Sequence, residues 1–263
     1  MSKKIKMYQV DAFTDKLFHG NPAAVCLLDE WLSGEQMQKI GAENNLSETA
    51  FIVPKGDDYE IRWFTPSVEV ELCGHATLAT AHVLFEHIKY PNEKVIFHSR
   101  VHGQLAVRKS GDLLTLDFPV DIIEKVDAPE NLLKAFNLKP LECYKGKTDF
   151  MLIYSSQEQI EKIEPDFNLI LLSGARGVIV TATGNETDFV SRFFAPEAGI
   201  NEDPVTGSAH TTLTPYWSKK TGKNILTAKQ ISKRQGELKC ELSGDRVKIT
   251  GKAVTYLIGE IEI

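Results

Sequence analysis

Arg62-Trp63-Phe64-Thr65-Pro66 and, 130 residues further on, Arg192-Phe193-Phe194-Ala195-Pro196 are one local design written twice. Each is followed by a short polar stretch and then a turn of small residues. The first turn is Cys73-Gly74-His75-Ala76-Thr77 and the second is Thr206-Gly207-Ser208-Ala209-His210. A unit repeated across the two halves predicts two like domains facing each other. The polar turns are then expected to meet in a cleft that holds a small substrate from both sides.

Working outward, the residues before the first copy read as strands at Ile5–Val10, Ala23–Leu28, Ala50–Val53 and Tyr59–Phe64. A helix between the second and third is announced by a capping box at Ser33 and Gln36. From Gly74 the apolar period lengthens through Leu78, Ala81, His82 and Phe85, which predicts a helix over 74–87. Strands follow near 93–99, 103–109 and 112–118. The second half repeats the order: strand 149–154, helix 157–162, strands 177–181 and 187–194, a helix from Gly207, then four more strands. Antiparallel-looking strands with one small-residue helix per half give an α+β class. The expected domains are 1–119 and 146–263, joined by a linker at 120–145, with the last strand free to return to the first domain.

The 263 residues suffice for two domains, and 42% hydrophobic with 25% charged residues excludes a disordered chain. A net charge of −6 offers no attraction to nucleic acid or an anionic membrane, and no apolar run approaches a membrane span. Cys26, Cys73, Cys143 and Cys240 are too far apart for a zinc knuckle or a disulfide scaffold, so a cytoplasmic location is expected. His98 and His102 share a strand face without a carboxylate at metal-site spacing, and no metal is expected. The dinucleotide, phosphate-loop and nucleophile-elbow glycine patterns are all missing from the sequence.

Gly74 and Gly207 stand at matching helix starts, where leading amides lack partners and the dipole favours negative charge. Two such ends could bind a carboxylate or stabilise charge developing beside one, and tight packing alone would also account for the glycines. His75 lies in the first turn, where the dipole favours a neutral ring able to donate or accept a hydrogen bond; capping its own helix is the alternative. Asp203, fixed ahead of Pro204, could cap amides, orient a histidine or bind an ammonium. Glu48, in the polar link Asn45-Leu46-Ser47-Glu48-Thr49, could be a general acid/base if enclosed, or simply a solvated loop acid. Ser208 suits anion binding at a helix start better than nucleophilic attack.

At these residues the chain resembles the phenazine-biosynthesis PhzF-like family, relatives of diaminopimelate epimerase. The resemblance runs through Asp11-Ala12-Phe13, Phe18-His19-Gly20-Asn21-Pro22-Ala23-Ala24-Val25, Leu46-Ser47-Glu48-Thr49, Phe64-Thr65-Pro66 and Cys73-Gly74-His75-Ala76-Thr77. It continues in Arg192-Phe193-Phe194-Ala195-Pro196 and Glu202-Asp203-Pro204-Val205-Thr206-Gly207-Ser208-Ala209-His210. It implies two similar domains, each a curved, mostly antiparallel sheet around a central helix, in a homodimer that uses neither metal nor organic cofactor. It also implies Glu48 as the catalytic acid/base, with His75 and Asp203 as its catalytic companions. Gly74, Gly207 and Ser208 would bind substrate. Diaminopimelate epimerases place a cysteine before each glycine; Cys73 matches the first and Thr206 replaces the second, which disfavours a two-thiol epimerase and leaves Cys73 a minor role. The expected activity is a cofactor-independent isomerase that shifts a proton and a double bond in a small carboxylic or amino acid. An amino-acid epimerase or racemase, or a non-catalytic metabolite-binding protein, are the alternatives.

Overall fold

The computed structural model describes residues 3–263 and separates them into two compact units, 3–117 with 250–263, and 118–249. In the first unit, strand Lys4–Ala12 pairs antiparallel with both Ala253–Glu262 and Asn21–Leu27. Asn21–Leu27 then runs parallel to Glu48–Lys55, which is antiparallel to Asp58–Phe64. That strand pairs in parallel with Lys94–Ser99, which turns back into Gly103–Ser110.

The second unit repeats this order of pairings. Glu142–Lys145 is antiparallel to Asp149–Ile153, which is parallel to Gly177–Thr183. Gly177–Thr183 is antiparallel to Phe189–Ala195, which is parallel to Ile225–Gln230, itself antiparallel to Gly236–Ser243. The long crossovers fall at the same places in both units. Gly34–Asn44 fills the first crossover of one, and Gln157–Glu161 with Phe167–Leu172 that of the other. Gly74–Val83 and Gly207–Thr221 fill the second. The duplication read from two five-residue motifs is thus written through the hydrogen-bond ladders, and the class is α+β.

Helix Gly74–Val83 is buried on nearly all sides, from Gly74 through Ala81 and again at Val83, and rests on the strands around it. Its alanines and threonines permit that close approach, while Thr77 and Thr80 return their hydroxyls to the carbonyls of Cys73 and Ala76. The regular helix stops at Val83 and continues as a π turn over Leu84–Ile88, so the apolar period alone overstated its length. The capping box at Ser33 and Gln36 is present, and Asn45 closes that helix in the left-handed conformation.

Residues 120–145, expected as a linker, are instead part of the second unit's body. Helix Glu130–Lys134 and strand Glu142–Lys145 lie there, and Leu132, Ala135, Phe136 and Cys143 are buried in its core beside Val178, Val180 and Phe194. The apolar side chains are too sparse for a periodic signal, yet each is covered by a neighbouring element.

The repeated arginines explain the repeated motif. Arg62 donates Nε and Nη2 to Glu69, both at 2.7 Å, and lies 5.2 Å from the Phe64 ring centre. Arg192 does the same to Glu202 at 2.7 and 3.0 Å, lies 5.0 Å from Phe194, and also donates Nη1 to the carbonyls of Ile160 and Ile163. Arg192→Ala therefore leaves a carboxylate and two carbonyls without their donor. The expected cost is about 3 kcal/mol in urea unfolding; a loss under about 1 kcal/mol, the range of an exposed pair, would show the contact to be ornamental.

Candidate active site

Parallel pairing builds the first half of the site. Ala23 lies opposite Glu48, so strands Asn21–Leu27 and Glu48–Lys55 begin at the same end of the sheet. The chain can enter at Asn21 only through Gly20, whose φ is +65° and where a Cβ would meet the Ala12 carbonyl oxygen. Helix Gly74–Val83 brings its first turn to the same place. Asn21 and His75 are buried, Cys73 is buried at the N-cap position, and the Glu48 side chain is 12% exposed.

The imidazole of His75 is the centre of this group. Its Nε2 lies 3.2 Å from Glu48 Oε2, though not aligned as a full hydrogen bond, while Nδ1 lies 3.1 Å from the Asn21 amide nitrogen and 3.5 Å from Cys73 Sγ. Burial pushes the His75 pKa down to about 3, so the ring is neutral at physiological pH. No side chain caps this helix at Cys73, and the leading amides of a helix have no partner within it.

Atoms of Glu48, Cys73 and His75 all lie within 4.8 Å of one another, which makes the trio a possible metal-ligand set. The ring, however, presents Nε2 to the carboxylate and Nδ1 to the sulfur, and one ion can take only one of those nitrogens. The arrangement is better suited to holding and passing a proton.

In the second unit, Asp203 and Thr206 precede helix Gly207–Thr221. The Thr206 hydroxyl donates to Asp203 Oδ2, and buried Gln230 donates to the Asp203 carbonyl at 2.7 Å while accepting from the Thr206 amide at 2.8 Å. His210, wholly buried, donates Nδ1–H to the Thr206 carbonyl at 2.8 Å, and burial lowers its pKa to about 4. Ser208 is half-buried in the first turn, and again no side chain caps the helix. The structure thus groups Glu48, Cys73, His75 and Gly74 in one unit, and Asp203, Gly207 and Ser208 in the other. Sequence reading passed over Asn21 and Gln230 as working residues. Asn21 had looked like a turn residue between Gly20 and Pro22, and Gln230 sits in a strand with no local signal.

A family model for phenazine biosynthesis-like proteins matches residues 10–259. The chain belongs to that family. Among its relatives, a Pseudomonas aeruginosa protein called an uncharacterized isomerase is 48% identical over 260 residues, covering 99% of this chain and 100% of the relative. The crystal structure of an Enterococcus faecalis phenazine biosynthesis protein of the PhzF family superposes with a TM-score of 0.95 at 45% identity, covering 99% of this chain and 100% of the other. A predicted epimerase of P. aeruginosa shares the fold at a TM-score of 0.76 and 18% identity, with 98% of this chain and 99% of the other covered. With isomerases as its close relatives, this PhzF-like chain is an isomerase. The non-catalytic reading is thereby set aside. Among the described residues no helix is long and apolar enough to cross a membrane.

Proposed function

We propose that this PhzF-like protein moves a proton, and with it a double bond, within a small carboxylic or amino acid, using Glu48 as the acid/base. The carboxylate takes a proton from a carbon conjugated to the substrate carboxyl group, and the C–H electrons spread into the conjugated system. Glu48 then returns the proton to another carbon of that system, so atoms balance without a co-reactant. Within the first unit, His75 orients the substrate beside Glu48 and the Gly74 amide binds its carboxylate; Asp203, the Gly207 amide and Ser208 are the second unit's own candidates for binding substrate polar groups.

The observation that carries this reading is a largely enclosed carboxylate 3.2 Å from a buried, neutral imidazole at an uncapped helix start. The test is a screen of cyclic and linear carboxylic and amino acids in deuterated water, following both deuterium entry and double-bond position. An epimerase would place deuterium at the alpha carbon alone.

The epimerase reading needs a second acid/base of thiol strength. Thr206 stands at that position, and its hydroxyl proton is already given to Asp203. Cys73→Ala is therefore expected to keep turnover within about threefold of wild type, whereas loss of an essential acid/base costs about a hundredfold or more. A collapse of that size in the alanine variant would restore the epimerase.

A further inference from the structure

We propose that Asn21 is a positioning residue that fixes which nitrogen of His75 carries the proton, and that it thereby keeps Cys73 a thiol. Asn21 Nδ2 can only donate, and it lies 3.1 Å from His75 Nδ1 with both residues buried. Nδ1 must then accept, which places the single proton of the neutral ring on Nε2, the nitrogen 3.2 Å from Glu48. The same choice governs Cys73. Its sulfur lies 3.5 Å from Nδ1, and Nδ1–H is the donor by which the imidazole would pair with a thiolate there. An Nδ1 that accepts from Asn21 cannot also give a proton to sulfur.

One side-chain amide therefore selects between two chemistries latent in the same trio. With Nδ1 accepting, Nε2–H serves the carboxylate. With Nδ1–H, a cysteine–histidine pair would form and the nitrogen facing Glu48 would carry no proton. The consequence for turnover rests on the proposed role of Glu48, while the proton position itself does not.

The experiment is long-range proton–nitrogen correlation spectroscopy on the full chain labelled with 15N-histidine, with the His75 signals assigned by their loss in His75→Gln. The wild type should show the Nε2–H pattern at neutral pH, and no thiolate absorbance should be lost in Cys73→Ala. Asn21→Asp, close in size and, at a pH where its carboxyl is ionised, able only to accept, should move the proton to Nδ1 and lower kcat about tenfold or more, with KM changed less. An Nδ1–H pattern or a Cys73 thiolate in wild type overturns the inference, whether or not the aspartate variant folds. So does an unchanged Nε2–H pattern in Asn21→Asp. Proton relocation with unchanged turnover upholds it and removes the His75–Glu48 contact from the proposed mechanism instead.

Discussion

Glu48→Gln yields a folded protein that no longer moves a proton. Glutamine keeps the shape of the side chain and can still face His75 Nε2, which lies 3.2 Å from the native carboxylate. An amide has no useful basicity, so the carbon-bound proton has nowhere to go. Turnover and solvent-deuterium entry should fall about a thousandfold, within the range for loss of a positioned acid/base. Unfolding by heat should stay close to wild type, because the side chain is partly exposed and its volume is unchanged. Retention of more than about a tenth of the wild-type exchange, far above the residue expected on losing such a group, would transfer the role to another residue.

Acidification is expected to weaken each unit well before its carboxylates are protonated. His75 and His210 are held neutral by burial, with pKa values pushed down to about 3 and about 4. Once unfolded, each returns to an ordinary value near 6.5. Between those limits the unfolded chain binds the proton and the folded chain does not. Stability is therefore complete above about pH 6.5, falls as pH drops through that value, and levels only below the folded pKa. From pH 7 to pH 5 each histidine removes about 2 kcal/mol. His82, lowered to about 4 mainly by burial, adds to the loss in the first unit. Urea unfolding at the two pH values measures this directly, and His210→Gln should flatten the second unit's share. A midpoint that does not move between pH 7 and pH 5 would contradict the neutral, buried state of these rings.

Much of the architecture was legible because it rests on local rules. The capping box at Ser33, the small-residue helix starts at Gly74 and Gly207, and the strand runs around them all carry signals within a few residues. Helix Phe167–Leu172 escaped because Phe-Asn-Leu-Ile-Leu-Leu is a short apolar run, which periodicity cannot divide between helix and strand. Its start was nevertheless marked by Asp166, which accepts from the amides of Asn168 and Leu169. Glu48 and His75 stood out through their turns and the family resemblance. Asn21 did not, because its meaning comes from Ala23 lying opposite Glu48 across a parallel pair, and register between strands 27 residues apart is not encoded locally. Gln230 is hidden for the same reason, since Asp203 and Thr206 reach it only through the folded second unit.

The pairing of Lys4–Ala12 with Ala253–Glu262 has a consequence for how the protein is made. The first unit contains Thr250–Ile263, so on the ribosome its sheet waits for a strand that is translated after the whole of Phe118–Ile249. The second unit, contiguous in sequence, has all its residues earlier and is free to close first. Until the final stretch emerges, strand Lys4–Ala12 presents an open edge, the kind of surface that nascent-chain chaperones shield.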